Sequence, residues 1–253
     1  MQSLIMVSCL AENHRWVYER VASHLQSELG LKVHFETDVA WEERERMLYD
    51  GRAQFGFLCG LPYVRQADLP NPPLEALVAP VMRAPRYDGR PIYYSDVVVR
   101  ADSPYQTFAD LRGSRWCFNE PWSQSGHAVV LGKLARAGET SSYFAQAIAS
   151  GSHFDSIRMV LEGEADCAAL DTTCFEMEQR DEPWLAEKLR VVETIGPSPI
   201  QPFVASRSLP AELKGRIRQA LLDMNTQGLP IARFVGMQDS DYDPIREMQA
   251  LCS

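Results

Sequence analysis

Arg115-Trp116-Cys117-Phe118-Asn119-Glu120-Pro121-Trp122-Ser123-Gln124-Ser125-Gly126-His127, followed by Ala128, Val129, Val130, Leu131 and Leu134, reads as strand, loop and helix in immediate succession. Residues 115–119 are rich in aromatic and apolar side chains, Pro121 cannot continue a strand, and the apolar residues after Gly126 recur at helical spacing. The start of a helix offers unpaired backbone N–H groups and the positive end of its dipole, and Ser123, Gln124 and Ser125 add side-chain donors. That combination suits a tetrahedral oxyanion such as a phosphonate, phosphate or sulfonate. It is equally what a plain helix cap needs, with Ser123 or Ser125 accepting from the first turn. Other segments must decide between the two.

Upstream, Val17, Val21, Leu25 and Leu29 recur every four residues, which predicts a helix over 14–29 that Gly30 can end. Val33 and Phe35 alternate within 31–38, Trp41 to Tyr49 reads as a helix, and Phe55 to Cys59 reads as a buried strand. Pro62, Pro70, Pro72, Pro73, Pro80, Pro85 and Pro91 then predict a long irregular surface connection, because proline lacks the donor that helices and central strands use. The run from Ser95 to Arg100 predicts a strand, and 108–113 a short helical turn before the strand at Arg115. Downstream, the pattern gives a helix at 155–162, a strand at 165–170, another helix, and a strand at 190–195. Pro210 then opens a helix carrying Leu213, Ile217 and Leu221, so the carboxyl-terminal part is expected to be mainly helical.

The chain has 253 residues, is 45% hydrophobic and carries a net charge of −9 with both signs interspersed. Such a chain can bury a substantial core. It has no basic block or basic-aromatic stripe, which excludes nucleic acid as the expected partner. No run approaches the roughly 18 apolar residues of a membrane span, and residues 1–10 lack the basic start of a secretory signal. A periplasmic or other extracytoplasmic location is therefore expected if a signal segment has been removed, and a cytoplasmic one if Met1 is the native start. Cys9, Cys59, Cys117, Cys167, Cys174 and Cys252 show no C-x-x-C pair or metal-finger spacing, so free thiols and no bound metal or cofactor are expected.

The alternation of strands and helices, broken by irregular crossings near 93–97 and 195–202, predicts an α/β fold of two lobes, each a mixed sheet flanked by helices. The first lobe comprises residues 1–94 and 201–253, and the second comprises 95–200 with the serine loop. Five ordered segments carry a more specific resemblance. They are 43–63 with Phe55-Gly56-Phe57-Leu58-Cys59-Gly60-Leu61-Pro62-Tyr63, Asp96 to Pro104, the serine loop, Ser150-Gly151-Ser152-His153, and Gly163-Glu164-Ala165-Asp166 leading to Asp171-Thr172. Together they resemble the phosphate/phosphite/phosphonate-binding branch of the type II periplasmic substrate-binding proteins of ABC transporters, over nearly the full chain. Gln124 stands where those proteins commonly have threonine, and the segment from Cys59 to Tyr63 departs from their usual small-residue loop.

The resemblance implies a Venus-flytrap solute-binding protein that captures a small oxyanion, with an ABC transporter permease as a further partner. It implicates Ser123, Ser125, His153, Asp171 and Tyr63 in ligand binding; Gln124 joins them as a side-chain donor of the serine loop, and Tyr94 from its place at a crossing. Asp171 beside an oxyanion would repel it unless the ligand donates a proton to the carboxylate, and its alternative role is to cap the helix over 172–178. Two other functions stay open on the same scaffold. One is a cytoplasmic enzyme of the pyrimidine-precursor or menaquinone-pathway type, with Cys59 as nucleophile and His153 or His127 as base. The other is a ligand-sensing module.

Overall fold

A computed structural model describes residues 3–251, so Cys252 lies outside the described residues. The chain opens with β1 (Leu4–Ser8), α1 (Arg15–Leu29), β2 (Val33–Phe35), α2 (Trp41–Tyr49), β3 (Phe55–Phe57), α3 (Gly60–Ala67) and β4 (Leu74–Met82). Helix α1 forms where the four-residue spacing predicts it, with Val17, Val21, Leu25 and Leu29 buried. Gly30 ends it in the left-handed conformation, φ 64°, and its N–H donates to the Gln26 carbonyl at 3.1 Å.

The second stretch holds β5 (Ile92–Arg100), β6 (Arg115–Phe118), α4 (Val129–Arg136), β7 (Gln146–Ala149), α5 (His153–Glu162), β8 (Cys167–Asp171), α6 (Thr172–Asp181), α7 (Leu185–Lys188) and β9 (Leu189–Pro199). Then follow β10 (Phe203–Ser206), α8 (Ala211–Leu222), β11 (Ile231–Gly236) and α9 (Asp243–Leu251). One sheet runs in the order β11-β4-β10-β3-β1-β2 and the other in the order β7-β6-β8-β5-β9. The first compact unit takes the described residues up to Ile92 and Pro199–Asp243, and the second takes Tyr93–Ser198 and the chain from Pro244.

Three features depart from the sequence reading. The proline-rich segment expected to be irregular contains α3 and the nine-residue strand β4, whose second half is buried. Pro80 is tolerated inside β4 because β10 pairs only with Leu74 to Val78, so at Pro80 the strand has β11 as its one neighbour, with Phe234 opposite. The carboxyl-terminal part also supplies β10 and β11, which pair antiparallel with β4 and complete the first sheet. Finally, the residues from Pro244 belong to the second unit and not, as expected, to the first. Met248 is the reason: it is buried in the second unit's core, over Gly132 of α4, where a Cβ would come within 2.5 Å of the Met248 Cγ.

Strict alternation organises the second unit's core. Val97 and Val99 of β5, Trp116 and Phe118 of β6, and Cys167 and Ala169 of β8 face one side, with Val129, Val130 and Leu134 of the α4 side and Met248 of α9. Val98, Cys117, Ala168 and Leu170 face the other, with Ile157 and Val160 of α5 and Phe175 of α6. A sheet covered on both faces accounts for the nearly continuous apolar runs in these strands. Burial pushes the Cys117 thiol up to about 12 and raises the Cys167 thiol as well, so both act as small packing groups.

Candidate functional site

Strands β6, β7 and β8 run parallel, with Phe118 opposite Ala149 and Trp116 opposite Cys167. Their carboxyl ends therefore share one edge of the sheet, the edge at which open α/β sheets bind ligands. The serine loop leaves β6 there, Ser150-Gly151-Ser152-His153 leaves β7, and Asp171 ends β8. The β6–β7 pairing continues beyond the strands: the Ser150 N–H donates to the Phe118 carbonyl and the Gly151 N–H to the Asn119 carbonyl, each at 2.8 Å.

In the serine loop, Ser123 has extended backbone, and its Oγ accepts from the Gly126 N–H at 3.0 Å. Ser123 therefore is the helix cap. Its carbonyl accepts from the Ala128 N–H at 3.0 Å, a five-residue step that makes residues 124–128 one wide π turn before α4. Such turns often mark functional sites. Gly126 is required by the packing, since a Cβ there would lie 2.0 Å from the Asn119 Oδ1. Ser125 takes no part in the cap. Its Oγ lies 3.2 Å from the His153 Nε2 and 3.5 Å from the Ser123 Oγ, and both serines are nearly fully buried.

His153 is the first residue of α5, which Ser152 caps by accepting from the Asp155 N–H at 2.9 Å. Burial of the imidazole disfavours its charged form and lowers its pKa to about 4. The ring is thus neutral near pH 7. Its Nδ1 is buried and has no hydrogen-bond partner within the protein, an arrangement that calls for a partner from outside the chain. His127, by contrast, stacks on Trp116, with ring planes 4° apart, and hydrogen-bonds to the Pro121 backbone; burial lowers its pKa too.

The other expected residues divide. Asp171 is buried and caps α6, its Oδ1 accepting from the Thr173 N–H at 2.8 Å, the Thr173 hydroxyl at 2.7 Å and the Cys174 N–H at 3.4 Å. Tyr94 is joined to the same corner through its N–H, which donates to the Thr172 hydroxyl at 3.1 Å. Gln124 is buried with its Nε2 3.9 Å from the Met248 Sδ, on the side of α9, and its Oε1 lacks a protein partner. Tyr63 belongs to the first unit, where it is buried, stacks edge-on with Tyr242 and donates its hydroxyl to the Asp239 carboxylate at 2.9 Å. The sequence reading passed over Asn119, whose buried Oδ1 lies against Gly126 without a hydrogen-bond partner. A polar amide placed directly after an apolar strand was the available signal.

Among the described residues, no group of three or more His, Cys, Asp or Glu side chains is placed to hold a metal ion, and no helix is long and apolar enough to cross a membrane. The site's chemistry is that of neutral donors around a buried imidazole. It can bind and orient an anion.

The profile of the periplasmic substrate-binding proteins of phosphonate ABC transporters matches residues 11–242. A binding protein component of an ABC phosphonate transporter from Pseudomonas aeruginosa superposes with a TM-score of 0.83 at 17% identity, covering 98% of this chain and 85% of that one. PhnD1 from Prochlorococcus marinus, solved in complex with methylphosphonate, gives 0.82 at 17% identity, covering 98% and 97%. A Xanthomonas citri protein bound to ATP gives 0.72 at 16% identity, covering 100% and 97%. These likenesses establish the two-lobed fold of two mixed sheets flanked by helices. With the profile match over nearly the whole chain, the protein belongs to the family of periplasmic substrate-binding proteins of phosphonate ABC transporters, whose members are solute-capturing transport components and not enzymes.

Proposed function

We propose that this protein binds a small phosphonate through Ser123, Ser125 and His153 of the second unit and presents it to an ABC transporter permease outside the cytoplasm. The observation that carries the assignment is the Ser125–His153 contact of 3.2 Å at the shared carboxyl edge of three parallel strands, with the His153 Nδ1 buried and unpartnered. When the neutral imidazole carries its proton on Nε2, it donates to the Ser125 Oγ and leaves the serine hydroxyl proton for an ionised ligand oxygen, while Nδ1 accepts from a protonated one, the P–OH of a phosphonate monoanion. A donor is thereby aimed without a fixed charge. An anion brought beside the ring favours the imidazolium, so binding raises the His153 pKa from about 4 and is accompanied by proton uptake in acid.

Methylphosphonate, the ligand of the PhnD1 complex, is the natural first probe. Isothermal titration of wild type, Ser125→Ala and His153→Gln with methylphosphonate, phosphate and sulfate tests the assignment. We expect wild type to bind methylphosphonate and both variants to bind it at least tenfold more weakly. No heat with any of the three anions, or variants that bind like wild type, would refute it.

A further inference from the structure

The Ser125 hydroxyl and the neutral His153 imidazole hold one O–H and one N–H proton between them, and their 3.2 Å contact uses one of the two. With the ring proton on Nε2, that N–H donates to the Ser125 Oγ, the serine hydroxyl is left to donate, and the buried Nδ1 keeps a lone pair that no protein group meets. With the ring proton on Nδ1, the serine hydroxyl donates to Nε2, the Nδ1 N–H is left to donate, and the Ser125 Oγ keeps its lone pairs. The Ser123 Oγ, at 3.5 Å, is too far to fill them with an O–H···O bond. Either tautomer therefore offers a ligand one donor and one acceptor.

Nothing nearby changes that count near pH 7. Burial alone lowers the His153 pKa to about 4, so the ring does not take a second proton there. The elements that meet at this edge carry Glu120 and His127 in the serine loop, Asp155, Arg158 and Glu162 in α5, and Asp171 in β8. None of these groups contributes to the shift.

A fully ionised tetrahedral anion, such as sulfate or an alkyl sulfonate, brings acceptors only. It satisfies the donor and leaves the site's acceptor buried and unpaired, which is costly. A phosphate or phosphonate group loses its last proton close to neutral pH, and its monoanion brings both kinds of group, ionised oxygens that accept and one P–OH that donates.

We propose that the Ser125–His153 pair selects oxyanions that carry one proton, the monoanions of phosphonates and phosphate, and rejects sulfate and sulfonates of the same shape. The inference rests on the oxyanion assignment above. The complex keeps one proton between the pair and the ligand, so binding raises the ligand's second ionisation. Affinity is full at pH values below that ionisation in the free ligand and falls above it, by about tenfold per pH unit until the bound ligand ionises too.

Methanesulfonate decides the matter, because it has the shape of methylphosphonate and a single negative charge but no acidic proton. The experiment is isothermal titration of wild type and His153→Ala with both ligands from pH 6 to pH 9, with circular dichroism confirming the fold. We expect wild type at pH 6 to bind methylphosphonate at least tenfold more tightly than methanesulfonate. The affinity for methylphosphonate should fall by about tenfold per pH unit above its second ionisation, while that for methanesulfonate stays level. In His153→Ala the two ligands should come within about threefold of each other. Equal affinities in wild type, a methylphosphonate affinity that stays level through the second ionisation, or a preference unchanged in His153→Ala overturns the selection and leaves the oxyanion assignment standing. If His153→Ala does not fold, the wild-type pH series decides by itself. Failure of wild type to bind either ligand defeats the oxyanion assignment, and the selection with it.

Discussion

The Ser125 Oγ and the His153 Nε2 lie 3.2 Å apart, although 28 residues separate them in the chain. The contact exists because β6 and β7 are parallel neighbours that end in register at Phe118 and Ala149, so the loops that follow them leave the sheet side by side. Ser125→Ala removes the hydroxyl but not the loop, whose cap is the separate Ser123 Oγ. We expect it to weaken methylphosphonate binding by about 1–3 kcal/mol, the usual size of a charge-assisted hydrogen bond, while thermal unfolding stays within a few degrees of wild type. Titration calorimetry and a melting curve check the two halves of that statement.

His153 should make the protein lose stability in acid. Its folded pKa of about 4 lies below the ordinary 6.5, so as the pH falls the unfolded chain takes up the proton first. The stability that this difference confers is fully present above about pH 6.5, declines between 6.5 and 4, and amounts to about 3 kcal/mol over that window. His127 is shifted in the same direction and adds to the slope. Urea unfolding at pH 7 and pH 4.5 should therefore show a smaller difference for His153→Asn than for wild type. An unchanged difference would mean that the imidazole is not held neutral by the fold.

Gly126→Ala should damage the loop itself. The added Cβ would fall 2.0 Å from the Asn119 Oδ1, so either the turn or the amide must move. We expect a loss of about 1–3 kcal/mol in stability together with weakened anion binding. The double variant Asn119→Ala/Gly126→Ala should regain part of the stability lost by the single glycine variant, a coupling that a double-mutant cycle measures.

Met248 anchors α9 to the second unit, and its side chain is 5% exposed. Met248→Ala leaves a cavity over Gly132 and beside Gln124, with an expected cost of about 2–4 kcal/mol. Hydrogen exchange should report faster opening in α4 and the serine loop, with amides of β1, β3 and β4 unchanged. Protection lost equally in those first-unit strands would contradict the assignment of α9 to the second unit.

Chelation is expected to leave phosphonate binding unchanged. The donors around Ser125 are hydroxyls and an imidazole, and among the described residues no cluster has metal-ligand spacing. Affinity that falls on exhaustive dialysis against a chelator and returns with added metal would require a different site chemistry.

Local pattern carried most of the fold. The four-residue recurrence from Val17 to Leu29, the helix over 41–49 and the alternating strands of the second sheet were legible because burial on one face imposes a period that a single sequence displays. Strand β4 was not, because Pro80 reads as a breaker until the one-sided pairing of that part of the strand is known. Strand β7 was missed for a related reason: it is an edge strand with largely exposed side chains, so no burial pattern marks it.

The candidate site divides in the same way. The sequence by itself determined that a strand passes through a serine-rich turn into a helix, that another helix follows closely on His153, and that Asp171 follows a strand, since each is a statement about neighbours in the chain. Only the tertiary structure decided which serine caps and which one meets the histidine, that the Asp171 Oδ1 is engaged by the start of α6, that Gln124 faces Met248, and that Tyr63 is bonded to Asp239. Those outcomes depend on strand order and on the packing of segments distant in sequence. A hydroxyl or carboxylate has several partners of similar energy available locally, and it is the register of β6, β7 and β8 that selects among them.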